Sequence, residues 1–184
     1  MLLSIDQAAE ALRAGAVIAY PTEAVYGLGC DPMNEAAVAR IWQLKQRPAA
    51  MGLILIASDW QQLAPYVAEL SETQHQQLLA TWPGPHTWIV PAQATTPAWL
   101  TGGRDSIAVR ITDHAPSRAL CDSFAGALVS TSANLHGQPP LRDALAAQQT
   151  FQAEGFAGVM QGELGGYSQP TSIRDLRSGE WVRR

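Results

Sequence analysis

An α/β fold, with a central sheet covered by helices on both faces, follows from three features of this sequence. Two short runs, Ala16-Val17-Ile18-Ala19-Tyr20 and Leu53-Ile54-Leu55-Ile56-Ala57, are apolar at every position, which is the pattern of strands buried on both faces. Segments with apolar residues at helical spacing alternate with them. A third strand, Ser106-Ile107-Ala108-Val109-Arg110-Ile111, puts Ile107, Val109 and Ile111 on one face and Ser106, Ala108 and Arg110 on the other, because side chains alternate along a strand. No repeat, low-complexity tract or linker divides the chain, and 184 residues suit one core better than two. A single domain over 1–184 is expected.

The elements can be taken in order. Residues 6–14 carry Ala8, Ala9 and Leu12 on one helical face, and Gly15 stops that helix before the strand 16–20. The strand empties into Pro21-Thr22-Glu23-Ala24-Val25-Tyr26-Gly27-Leu28-Gly29, which reads as a loop because of its two glycines. Thr22 and Glu23 there either cap a turn or face a ligand, since open α/β sheets bind ligands at strand ends of this kind. Asn34 can cap a helix starting at Glu35, with Val38, Ile41 and Trp42 on one face. Pro48 biases Arg47 out of the helical region, so the helix should end near Gln46. After the strand 53–57, helices are expected over 60–69 and 71–81, then a rigid turn at Trp82-Pro83-Gly84-Pro85 and a strand over 87–90. Residues 91–103 read as loop. Beyond the strand 106–111, a helix over 115–124 leads to the strand Ala127-Leu128-Val129, a helix near 141–151 follows, and 170–183 resembles a closing hairpin.

Composition excludes several classes of function. Hydrophobic residues at 47% and charged residues at 15% describe a folded core and exclude a disordered chain. A net charge of −4 gives no overall attraction to nucleic acid or to an anionic membrane, although a local basic patch is compatible with it. Cys30 and Cys121 stand alone, the four histidines show no metal-ligand spacing, and no apolar run approaches the roughly 20 residues of a membrane helix. A cytoplasmic location is expected, with no metal held by the protein alone.

Four segments carry chemistry. Lys45 is the only lysine in the chain and stands two residues from Arg47. Cations there either complement a helix C-terminus or bind an anion. Arg110, in mid-strand between small residues, either pairs with a carboxylate of the fold or receives one from a ligand through its planar fork. Ser130-Thr131-Ser132-Ala133-Asn134, at a strand end, offers hydroxyl and amide groups to anions or caps a helix. Thr22 and Tyr26 stand at another strand end. The familiar Walker A, GxGxxG and GxSxG sequences are absent.

Together these residues resemble a known family. Pro21-Thr22-Glu23-Ala24-Val25-Tyr26-Gly27-Leu28-Gly29, Lys45-Gln46-Arg47-Pro48, Trp82-Pro83-Gly84-Pro85-His86-Thr87, Ala108-Val109-Arg110 and Ser130-Thr131-Ser132-Ala133-Asn134 are similar, in order, to the motifs of YrdC-type threonylcarbamoyl-AMP synthases in their single-domain form. The resemblance implies a twisted, open, mixed sheet around a concave basic cavity. It implies an enzyme, a nucleotidyltransferase, that converts L-threonine, bicarbonate and ATP, with Mg²⁺, to threonylcarbamoyl-AMP and pyrophosphate. That product feeds threonylcarbamoyladenosine modification of tRNA beside the anticodon through downstream transfer proteins. Carried over by residue, Lys45 and Arg47 are the expected catalytic cations. They bind ATP with Ser132 and Asn134, while Thr22, Tyr26 and Arg110 bind threonine and bicarbonate, Arg110 gripping the carboxylate. The chain departs from many relatives at Ala24, where a second threonine is common, at Met51-Gly52 and at Pro139-Pro140. Two alternatives are a ribosome-maturation-type protein that binds double-stranded RNA without catalysis and a carbamoyl-transfer module.

Overall fold

The computed structural model describes residues 1–46 and 52–184; Arg47, Pro48 and Met51, to which the sequence assigns meaning, lie outside the described residues. In chain order the elements are β1 (Leu2–Leu3), α1 (Ile5–Arg13), β2 (Val17–Pro21), β3 (Tyr26–Gly29), α2 (Glu35–Lys45), β4 (Ile54–Ala57) and α3 (Trp60–Leu63). A 3₁₀ turn at Ala64–Tyr66 precedes α4 (Glu72–Leu79), β5 (His86–Pro91), α5 (Ala98–Thr101), β6 (Ser106–Ile111) and α6 (Ala115–Phe124). The chain closes with β7 (Leu128–Ser132), α7 (Ala144–Thr150), β8 (Phe156–Met160), β9 (Ser172–Asp175) and β10 (Trp181–Arg183).

All ten strands form one open mixed sheet in the order β1-β8-β2-β3-β7-β4-β6-β5-β9-β10. Among the described residues, four neighbouring pairs are parallel (β1 with β8, β8 with β2, β4 with β6, β5 with β9) and the other five are antiparallel, so the sheet is mixed. Strand alternation sorts the core into two layers. Ile18, Tyr20, Ile56, Leu128 and Met160 meet Ala8, Ala9 and Leu12 of α1 and Leu120 and Cys121 of α6. Their neighbours Val17, Ala19, Leu55, Val129 and Val159 face the opposite side and pack with Val38, Ile41 and Trp42 of α2. The unbroken apolar runs are thus strands whose two faces are both buried.

Local signals explain most boundaries. Ser4 and Gln7 form a capping box at α1, and the Asn34 side chain accepts the Ala37 N–H at 3.0 Å to open α2. The α2 helix ends on Gln46, in the left-handed conformation (φ 52°). Two expected helices are shorter than read. The helix over 60–69 stops at Leu63, because Pro65 supplies no N–H and the chain tightens into the 3₁₀ turn. The helix near 141–151 starts only after Asp143, whose carboxylate caps Ala146 N at 2.8 Å.

The expected loop at 21–29 is in part a strand. β3 pairs antiparallel with β2, with Tyr20 opposite Gly27 and Ile18 opposite Gly29. Its glycines serve packing: a Cβ at Gly29 would stand 2.7 Å from the Tyr20 ring and 2.8 Å from Val129 O. β1, α5 and β8 also have no counterpart in the sequence reading.

Candidate active site

The strand alternation that builds the two core layers also floors a cavity of about 510 Å³, a size typical of small-molecule sites. Gly27, Ile54, Ala108, Arg110, Ser130 and Ser132 line it, while Leu28, Leu55, Val109 and Val129 of the same strands face the core. Apart from Ile54, these strand positions are small or polar, so the sheet leaves room there. Ala24, Gly52 and Pro140 also line the cavity. Its described lining contains Arg104, Arg110 and Arg183 and no carboxylate.

Lys45 is 2% exposed and points inward. Its ammonium donates to Ser132 O, to Asn134 O at 3.1 Å and to Asn134 Oδ1 at 3.1 Å. Asn134 Oδ1 also accepts the Ser132 hydroxyl at 2.6 Å, and Asn134 Nδ2 donates to Leu135 O and Gln138 O. A helix-end cation serving only the macrodipole would project into solvent. This one instead joins the end of α2 to the end of β7. Ser132 lines the cavity, and Lys45 and Asn134 stand directly behind it. Arg47 lies outside the described residues.

Arg110 pairs with a carboxylate of the fold and also lines the cavity. Its Nη1 donates to Thr87 Oγ1 at 3.0 Å and Thr171 Oγ1 at 2.9 Å, and its Nη2 donates to Glu23 Oε2 at 3.2 Å. Nε approaches Glu23 Oε1 at 3.2 Å as an ion pair, off the line of a hydrogen bond. Both partners are nearly inaccessible, at 3% for Arg110 and 1% for Glu23. Thr171 Oγ1 also lies 3.5 Å from Nη2 of Arg183, whose Nε donates to Thr171 O at 2.8 Å. Burial and the nearby Arg110 charge pull the Arg183 pKa below the usual guanidinium value. An anion placed between these two cations would favour the charged form of Arg183.

The remaining expected residues divide. Thr22 lines the cavity, with its hydroxyl donating to Val25 O at 2.7 Å. Tyr26 does not line it. As the first residue of a strand, it falls on the opposite face from Gly27, within the core layer of Leu28, and its hydroxyl donates to Gly162 O at 3.2 Å. Burial raises its pKa, with a smaller push from Asp143. Thr87, Thr171 and Arg183 were not singled out as site residues by sequence, and Glu23, left open there between a turn cap and a ligand contact, was not among the expected binding residues. A lone arginine in mid-strand facing small residues could have prompted a search for its counter-ion, and Glu23 at the end of a buried strand is a natural choice. Among the described residues, no three His, Cys, Asp or Glu side chains cluster as metal ligands.

An open mixed α/β sheet with this cavity on one face defines a class, and comparison places the chain within it. The chain belongs to the Sua5/YciO/YrdC family, whose model carries the description "Telomere recombination" and matches residues 10–184. The threonylcarbamoyl-AMP synthase of Halorhodospira halophila is 50% identical over 98% of this chain and 94% of its own length. That of Alkalilimnicola ehrlichii is 51% identical over 97% and 94%. Among solved structures, P. abyssi Sua5 complexed with L-threonine matches with a TM-score of 0.86 at 29% identity, covering 99% of this chain and 55% of that one. The present chain therefore spans about half the length of Sua5. E. coli YciO matches with a TM-score of 0.81 at 26% identity, covering 98% and 90%.

Proposed function

We propose that the protein is a threonylcarbamoyl-AMP synthase, a nucleotidyltransferase that uses L-threonine, bicarbonate and ATP. The observation that carries this reading is the roughly half-identical, near full-length match to relatives of that name, supported by a cavity that gathers Thr22, Arg110 and Ser132. The same relatives favour catalysis over RNA binding alone.

The chemistry joins two anions. The threonine amine adds to carbon dioxide with loss of a proton, or to bicarbonate with loss of water, giving a carbamate; a carbamate oxygen then attacks the α-phosphorus of ATP and pyrophosphate leaves. No protein nucleophile is needed, so the protein's part is to align the carbamate in line and to neutralise charge. In this reading Arg110 and Thr22 hold the threonine side, with Arg183 adding positive charge. Ser132 and Asn134 hold the nucleotide, with Lys45 and Arg47 as the catalytic cations. Tyr26 stands outside the cavity, with its hydroxyl donating to Gly162 O. Mg²⁺ would arrive with the triphosphate and would neutralise charge on the leaving group. We place the enzyme in the cytoplasm, upstream of the proteins that transfer the threonylcarbamoyl group to tRNA. No helix among the described residues is long and apolar enough to cross a membrane.

Pyrophosphate release from ATP tests the reading: it should require threonine and bicarbonate together. Release independent of threonine, or salt-sensitive duplex-RNA binding with no release, would contradict it.

A further inference from the structure

We infer that Glu23 is a positioning residue for Arg110, fixing its guanidinium so that it meets the substrate carboxylate without reorganising; this rests on the reading of Arg110 as the threonine-carboxylate ligand. The geometry is that of a clamp. Glu23 takes the Nε/Nη2 edge of the guanidinium at 3.2 Å on each oxygen, while Thr87 and Thr171 take Nη1. These contacts leave one Nη2 hydrogen with no acceptor among the described residues, on an arginine that lines the cavity. The planar fork is thus oriented before any ligand arrives, and the entropy of ordering a long side chain is already spent in folding.

Glu23 is itself held on every side. Its Oε1 accepts the Thr112 hydroxyl at 2.6 Å, and Thr112 Oγ1 in turn accepts the His114 N–H at 3.1 Å. Residues 162–167 lie across it: Gly165 N donates to Thr22 O and Tyr167 N to Glu23 O, both at 3.1 Å. A Cβ at Gly165 would stand 2.9 Å from Glu23 Cα, so this strap runs in direct contact with the residue it covers. A carboxylate fixed this firmly transmits its position to Arg110.

A second account of the pair is charge compensation alone, and it makes the opposite forecast. If Glu23 only offset the Arg110 charge, neutralising it would strengthen the field on a substrate carboxylate and tighten threonine binding. A clamp that is loosened instead weakens threonine binding and leaves ATP binding alone. The test is steady-state pyrophosphate release by the full chain, with threonine and ATP varied separately. For Glu23→Gln we expect the threonine KM to rise about tenfold, the equivalent of about 1.4 kcal/mol, with the ATP KM within about twofold. Thr112→Val, which frees Glu23 Oε1, should shift the threonine KM the same way by less. In an Arg110→Lys background, Glu23→Gln should add little, since the fork it orients is gone. A threonine KM unchanged or lowered in Glu23→Gln overturns the inference, and so does a parallel rise in both KM values. If Glu23→Gln does not fold, an unchanged threonine KM in Thr112→Val overturns it. If Arg110→Lys itself leaves the threonine KM unchanged, it is the assignment of Arg110 to threonine that fails.

Discussion

Lys45 and Asn134 are joined twice, the ammonium donating at 3.1 Å both to the side-chain and to the main-chain oxygen of the asparagine. With the further bond to Ser132 O, one buried cation sets the shape of the loop that follows β7. Lys45→Met should therefore act on both stability and rate. Unsatisfied acceptors at Ser132 and Asn134 cost about 1–3 kcal/mol, read by chemical denaturation. Loss of a preorganised charge should lower turnover by about 10²–10³, read by pyrophosphate release.

Gly29→Ala should destabilise far more than Gly27→Ala. A methyl at Gly29 meets Tyr20 at 2.7 Å and the fixed carbonyl of Val129 at 2.8 Å, whereas at Gly27 the nearest atom is the Thr22 methyl at 3.3 Å. Overpacking of the first kind costs about 1–3 kcal/mol. Thermal unfolding of the two variants checks the order, and equal effects would show that the Tyr20 ring yields freely.

These glycines also mark where sequence and structure part. The strands 16–20, 53–57 and 106–111 were legible because uninterrupted or alternating apolar residues have one physical explanation, burial on two faces or one. Tyr26–Gly29 carried the opposite signal, since glycine in isolation indicates a turn, and only the Tyr20 ring lying over it makes glycine necessary in a strand. β8 is masked in a similar way: Gly158, at φ 146° in mid-strand, breaks the pattern, and a Cβ there would stand 2.4 Å from Met1 O of the chain passing beside it. Within the site, the placement of Lys45 against Ser132 and Asn134 was legible from ordered motifs. The Glu23–Arg110 pairing was not, because the two residues are 87 positions apart and only the sheet order brings them together.

Tyr26→Phe should leave the threonine KM within about twofold, since the lost hydroxyl bonds Gly162 O outside the cavity. Its cost should appear in stability, at about 0.5–1.5 kcal/mol for one hydrogen bond. A large rise in the threonine KM would return Tyr26 to the substrate.

Alkaline pH should destabilise the fold before it affects surface groups. Burial raises the pKa of Tyr20 and Cys30 well above their usual values and that of Cys121 to about 12. Each group is then neutral in the folded state where the unfolded chain has ionised, so the unfolded chain binds fewer protons and stability falls as pH rises. For the thiols the fall begins at about pH 8.5, the ordinary cysteine value, and for Cys121 it continues to about 12. Urea denaturation at pH 8 and pH 10 should show the loss. Cys121→Ala should flatten its slope by on the order of 1 kcal/mol per pH unit, and an unchanged slope would mean that the thiol is solvated.

Threonine, bicarbonate and ATP should become one adenylate in this cavity. Incubating the purified chain with L-threonine, ¹³C-bicarbonate and MgATP, followed by mass spectrometry of the small molecules, tests it most directly. The account predicts threonylcarbamoyl-AMP heavier by the single ¹³C label, absent without threonine and strongly reduced in Arg110→Lys. Detection of no labelled adenylate from the folded chain would contradict it.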